Sequence, residues 1–435
     1  RGLCPAGDLR AGGCSGLTRG GGGGILGFWF GGKAVTSATR PLEGLRVIEL
    51  GQLLAGPFAC TILAYFGAEV IKVEAPTGDP IRGWRVVQDG TSLWYRSLGR
   101  NKKSVTLDLK SERGRALVLQ LLDSADVLVE NFRPGAMEDW GLGPDVVKAR
   151  NPRLVYARIS GYGQTGPYAS KPGYASVTEA FGGFRYINGE PGKAPVRPNI
   201  SLGDTVAGLH AALGITLALL QRAQPGGEGQ VVDVALYESV FNLLEGMIPE
   251  YDGAGVVREP AGTTVTGIVP TNTYHCDDGK YVVIGGNGDA IFKRLMTVAG
   301  RSDMAADPEL ADNVGRVRHE AEIDKALGLW CGQHSSTHVI NVLEEARVPV
   351  GPIYSVADML ADPQYQARGL FEQVEIDGKP LKIPAIMPRL GSTPGRTEWP
   401  GGALGSANRE VLQGLLGLGD EELAQLAAEG VIAPS

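Results

Sequence analysis

The chain has 435 residues, 43% hydrophobic and 20% charged, with 41 basic against 48 acidic side chains and a formal charge of −7. That length and apolar share support two or three domains around a large core and exclude a disordered tail or a fibre. The acidic balance argues against nucleic acid or an anionic membrane as partner, both of which call for a basic face, and no uninterrupted apolar run reaches the roughly 18 residues of a membrane span.

The first forty residues stand apart. They carry Arg1, Arg10, Arg19, Lys33 and Arg40 against a single acid, Asp8, with a glycine run from Gly20 to Gly24. An acid-poor, arginine-bearing leader predicts an organellar transit peptide over 1–40; a merely disordered tail is the alternative. Cys4, Cys14, Cys60, Cys276 and Cys331 are scattered and odd in number, as expected of reduced thiols in an intracellular compartment.

From Pro41 the pattern becomes regular. Leu45–Leu50 (LRVIEL) is a compact apolar run suited to a buried parallel strand. Gly51 and Gly56 then free the backbone, and Pro57 is placed to open a helix. Glu69–Glu74 (EVIKVE) follows as a second strand, completing a β-α-β unit of Rossmann type. Ala125–Phe132 and Arg153–Gly163 read as further strands, with helical segments such as SERGRALVLQLLDSA between them. Ligands of such sheets sit at the loops on the carboxyl ends of the strands. Val206, Leu209, Leu213, Leu217 and Leu220 recur at spacings of three and four, predicting a helix with one buried face that begins just after Gly203-Asp204-Thr205. A short strand and a helix follow in QVVDVALYESVFNLLEGM, and 249–265 reads as a linker. A small α/β unit over 266–350 has a strand at Tyr281–Ile284 and a helix from Ala290. The return segment, 351–435, ends in two helices, Asn408–Leu416 and Asp420–Ala428.

Several chemistries lack their signatures. The first turn reads GQLLAG and not GxGxxG, so Glu74, although spaced like a ribose-binding acid, has no dinucleotide loop to serve. There is no GxSxG elbow. Cys331, His334 and His338 have a metal-like spacing but no fourth ligand nearby, so no metal is expected. Locally, Asp204 reads either as an N-cap or as a reactive carboxylate.

PLEGLRVIEL, AGPFACTILAYFGAEVIKVE, NKKSVTLDLKSERG, VENFRPG, GYGQTGPY, PGYASVTEAFGG and SLGDTVAGLHAALGITLALLQR, in that order, resemble the successive blocks of the class III coenzyme A transferases, the formyl-CoA transferase/α-methylacyl-CoA racemase family. The resemblance runs from Pro41 to nearly the end of the chain. It is greatest to the mitochondrial branch that moves CoA between succinyl-CoA and glutarate. It implies an α/β fold in which a Rossmann-like large domain, built from both chain ends (41–248 and 351–435), carries a smaller α/β middle domain, two chains interlocking as a homodimer. It further implies acyl-CoA and small carboxylic acids as partners, a CoA thioester as substrate with no permanently bound cofactor, and the mitochondrial matrix as location.

The resemblance makes Asp204, in the LGD block, the nucleophile that attacks the thioester and carries CoA. It lines the CoA groove with Leu54, Ala55, Leu107, Asp108, Lys110, Asn131, Phe132, Arg133 and Tyr174. Lys102, Lys103, Lys110 and Arg133 are expected to supply charge for phosphates, and Gly285, Gly286 and Gly288 to offer N–H groups to an oxyanion. Two departures from the family pattern are Met137-Glu138-Asp139 after the NFRPG turn and Ala175 after the PGY tyrosine. Arg158, Arg185 and Arg197 are candidates to clamp the distal carboxylate of a dicarboxylic acid. The runners-up are an acyl-CoA racemase, whose acid–base histidine would fall where Tyr174 stands, and a non-catalytic CoA-binding protein. His210, past Asp204, reads as a packing residue.

Overall fold

A computed structural model describes residues 40–434, so the leader assigned to 1–40 lies almost wholly outside the described residues. Six parallel strands form the main sheet: β1 (Arg46–Glu49), β2 (Glu69–Glu74), β3 (Lys102–Thr106), β4 (Val127–Glu130), β5 (Val155–Ser160) and β6 (Val231–Ala235). Their spatial order is β3-β2-β1-β4-β5-β6, the doubly wound arrangement, with its switch point between β1 and β4. The strands are runs of Val, Ile and Leu because helices cover both faces of a parallel sheet. The fold is thus α/β with a parallel central sheet.

On one face Ile48, Ile71, Val105 and Leu128 pack on helix α1 (Glu112–Leu122), which is capped by Ser111, whose hydroxyl accepts the Gly114 N–H at 2.9 Å. Val411 and Leu412 of α2 (Asn408–Leu416), with Leu423 and Leu426 of α3 (Asp420–Ala428), join this same core from the chain's end. On the other face Val47, Val70, Val127 and Ala157 pack against α4 (Ala55–Tyr65) and α5 (Leu202–Arg222). Gly208 permits the close crossing of these two helices, since a Cβ there would lie 2.9 Å from the Ala55 carbonyl oxygen.

Helix α5 departs from expectation in three ways. It starts at Leu202, so Asp204 lies inside its first turn. Its buried face is Ala207, Ala211, Ala212, Ile215 and Ala218, whereas the leucine stripe (Leu209, Leu213, Leu217, Leu220) is between 48% and 63% exposed. The 3.6-residue period identifies a helix but not which of two apolar faces a single chain covers, and small alanines give the closer approach. By length and composition it is also apolar enough to cross a membrane, although Asp204, Thr205, His210 and Thr216 interrupt its apolar run.

Residues 271–352 form a separate antiparallel sheet of β7 (Thr271–His275), β8 (Tyr281–Gly285) and β9 (Val350–Pro352), with β8 central. Phe292, Leu295, Met296, Ile323, Leu327, Val339 and Leu343 fill its core, together with Cys276 and Cys331. A helix over Met247–Ala254 runs into the stretch read as a linker.

Candidate active site

Asp204 projects from the first turn of α5, half-buried, with no hydrogen bond or ion pair to any other described residue. The N-cap position belongs to Ser201, so Asp204 is not the cap. Beside it lies Glu179, buried on the short helix α6 (Ala175–Phe181). Glu179 Oε1 accepts the Gly203 N–H at 3.2 Å, one residue before Asp204. Its Oε2 accepts from Arg185 Nη2 at 3.2 Å, and Arg197 Nη2 stands 3.7 Å from Oε1.

Burial and, next, the negative charge of Glu179 push the Asp204 carboxyl up to about 6, against the opposing pull of Arg197. Those two effects outweigh the helix N-terminus, which alone would favour the anion. The result is a carboxylate ionised at neutral pH, more basic than an ordinary aspartate and unpaired. Those are the properties of a nucleophile.

Of the predicted CoA residues, Leu54, Ala55, Asn131, Phe132 and Arg133 lie on the turns after β1 and β4, at the switch point of the sheet, whereas Leu107, Asp108 and Lys110 follow the edge strand β3 and Tyr174 lies beyond β5. Asn131, just past β4, accepts the Gln52 N–H through Oδ1 and donates to the Gln52 carbonyl through Nδ2, both at 2.8 Å. This ladder holds the first turn, in which Leu53 has φ +61° and donates its N–H to Asp79 at 3.1 Å. Leu54 and Ala55 begin α4 just beyond and are buried. Phe132 packs edge-on against Trp140, and Arg133 is exposed and loosely paired with Asp139 at 3.8 Å. Leu107 is fully buried in the core, so it offers a groove only its backbone. Asp108 accepts the N–H of Lys110, whose side chain is exposed. Tyr174 caps α6 with its ring 77% exposed.

Two of the four predicted phosphate cations are excluded. Lys102 is buried, paired with Glu49 at 2.8 Å and donating to the Pro57 carbonyl at 2.6 Å. Lys103 is shared between Glu69 and Glu410, both at 2.7 Å. The lysines of NKK lie on a strand, β3, and not on solvated surface. Lys110 and Arg133 remain available. Lys72, which sequence reasoning passed over, joins Lys102 on Glu49 and bonds the Gly51 carbonyl at 3.0 Å, so a buried ion cluster supports the first turn from beneath. Glu74 is fully engaged by Arg82 and Ser104.

Arg158 is not a clamp. All three of its nitrogens are used, Nε on Glu130 at 2.9 Å and the two Nη on Glu138 at 2.7 and 3.0 Å. The Gly285 and Gly286 amides are likewise spent, on the carbonyls of Pro349 and Pro270 at 3.0 and 2.8 Å, whereas Gly288 caps a helix over Asp289–Val298. His210 lies 3.4 Å from the Asn242 side chain. Glu179 is the functional residue that the reading of the sequence missed. Its signal is an isolated acid in a small, apolar helix, followed six residues later by Arg185.

A family profile described as CoA-transferase family III matches residues 42–408. The chain belongs to CoA-transferase family III. Succinyl-CoA–D-citramalate CoA-transferase of Chloroflexus aurantiacus is 46% identical over 396 residues, spanning 90% of this chain and 98% of its own. Succinate–glutarate CoA-transferase of Agrobacterium fabrum is 36% identical over 384 residues, spanning 86% and 95%. The crystal structure of a CAIB/BAIF family protein from Brucella suis superposes with a TM-score of 0.77 at 34% identity, covering 87% of this chain and all (100%) of that one. As a CoA-transferase the protein is an enzyme that uses CoA thioesters as substrates, which removes the non-catalytic reading.

Proposed function

We propose that this family III CoA-transferase moves CoA from succinyl-CoA to a free dicarboxylic acid such as glutarate through a thioester on Asp204. The observation that carries the reading is the unpaired, half-buried Asp204 carboxylate with its basicity raised beside Glu179. Its oxygen attacks the thioester carbonyl, forming a mixed anhydride and expelling CoA thiolate. The thiolate attacks the Asp204 carbonyl carbon, and succinate leaves with the bridging oxygen. An incoming carboxylate then displaces the thiolate from the aspartyl thioester, and the thiolate takes the new acyl group, regenerating Asp204. No proton or electron is gained or lost. The first turn at Gly51–Ala55, the Asn131–Arg133 turn, Asp108, Lys110 and Tyr174 bind CoA in this reading. The dicarboxylate class is supported by the acids in the names of the relatives, citramalate and glutarate, each bearing two carboxylates.

The exposed leucine stripe of α5 supports a homodimer in which a second copy covers that face. The arginine-bearing leader supports delivery to the mitochondrial matrix. The deciding experiment is thioester exchange with purified protein, succinyl-CoA and a panel of acids. Glutarate should be converted to its CoA ester, and hydroxylamine added during turnover should label Asp204. Transfer retained by the Asp204→Asn variant would refute the assignment.

A further inference from the structure

We propose that Arg197, oriented by Glu179, is the anchor for the distal carboxylate of the acyl group, and that it grips that carboxylate most tightly while CoA is held on Asp204. The inference rests on Asp204 being the site of transfer.

Of the three arginines near the blocks around Asp204, Arg158 already bonds a carboxylate through every guanidinium nitrogen. Arg185 is committed through Nη2 to Ser176 and Glu179, and its Nε is buried without a partner among the described residues. Arg197 makes one hydrogen bond, from Nη2 to the Ile200 carbonyl at 2.9 Å, with Glu179 at 3.7 Å, whereas Nη2 of Arg185 serves two acceptors; its side chain is 38% exposed against 24% for Arg185. The second Nη2 hydrogen of Arg197, with the N–H beside it, leaves one edge of the planar fork open for a bidentate carboxylate. Arg197 is also the cation whose field acts on Asp204, and Glu179, 3.7 Å from its Nη2, accepts the N–H of Gly203, the residue before Asp204.

The charges give the anchor its timing. In the resting enzyme two acids, Asp204 and Glu179, stand against two arginines, Arg185 and Arg197. The aspartyl thioester is neutral, so its formation leaves one positive charge in excess. A monocarboxylate cannot cancel that charge while its only carboxylate is at the reacting end. A dicarboxylate can. Donor acid and acceptor occupy the same place in turn, so one anchor serves succinate and glutarate alike. Glu179 keeps Arg197 in place without saturating it.

The test is direct binding of glutarate and valerate, which has five carbons but one carboxylate, measured by titration calorimetry alongside thioester exchange. Asp204→Asn mimics the neutral state of the nucleophile. Both acids should gain from the lost repulsion at the reacting end, and glutarate should gain about tenfold more than valerate because its distal carboxylate also meets the freed charge. Adding Arg197→Ala should weaken glutarate binding about 30-fold more than valerate binding, and Arg197→Lys, which keeps the charge but not the fork, should fall between. If Arg197→Ala weakens both acids alike, or glutarate gains no more than valerate from Asp204→Asn, the anchor is refuted. If wild type exchanges no thioester with any acid, the transfer reading fails separately, and the binding data still decide the anchor.

Discussion

Replacing Asp204 by Asn should stop catalysis and stabilise the protein, because a half-buried carboxylate with nothing to neutralise it is held at a cost. Its folded-state pKa is raised to about 6 by burial and then by Glu179, from an ordinary aspartate value of 3.8. A rise of about two pH units corresponds to about 3 kcal/mol at neutral pH, trimmed to about 2 kcal/mol because the group keeps some contact with water. The sign follows from proton linkage. Between pH 4 and 6 the folded protein binds more protons at this site than the unfolded chain, so the wild type loses stability as pH rises through that window. Asparagine has no such proton. The variant should therefore match wild type near pH 4 and exceed it by about 2 kcal/mol at pH 7, roughly 2–3 °C in Tm for a chain of this size. Thermal melts of both proteins at half-unit pH steps read this out, with exchange assays on the same samples. A variant that is less stable than wild type at pH 7, or whose stability difference does not change with pH, would refute the electrostatic account of the site.

Glu179→Gln retains an acceptor for the Gly203 N–H but removes the charge, so the acid limb of kcat/KM should move from near pH 6 downward by about one pH unit; an unmoved limb would mean that burial alone sets the Asp204 pKa. Arg158→Met should destabilise by about 3 kcal/mol by leaving Glu130, which burial already pushes up to about 7, without its partner, and pairing it with Glu130→Gln should recover much of the loss in denaturant titrations. Replacing both Leu213 and Leu217 by Glu on the exposed face of α5 should convert a dimer into monomers in sedimentation runs while leaving the far-ultraviolet circular dichroism unchanged, because neither leucine is buried within one chain. Unchanged mass would place the dimer contact elsewhere.

The strands legible in the sequence were those that obey the simplest rule. β1, β2, β4 and β5 are apolar runs because both faces of a parallel sheet are covered. β3 escaped because it opens with Lys102 and Lys103, and a buried lysine is interpretable only when its partner is known. Glu49 lies more than fifty residues earlier. The leucine stripe of α5 was legible as a helix and misleading as a core, because periodicity does not say which of two apolar faces the fold buries. Asp204 stood out through its motif, since local sequence alone favoured a cap over a nucleophile. Its half-burial, its missing partner and the acid beside it are facts of tertiary structure. Arg158 was separated from Arg197 by the same kind of fact, the twenty-residue reach to Glu138 that consumes its donors.

Glu179 also explains why the site can hold two arginines without losing its nucleophile. An arginine pair next to a lone aspartate would form an ion pair with it, lower its pKa and spend the lone pairs needed to attack a thioester. With Glu179 between them, Arg185 is bound and Arg197 half-bound, and Asp204 remains unpaired in a field that raises rather than lowers its basicity. The positive charge needed to select a second carboxylate is therefore present throughout, yet it is masked until acylation neutralises Asp204. One buried glutamate thus reconciles two demands that conflict in any simpler site: a basic, unpaired nucleophile and a cation for the distal end of the substrate.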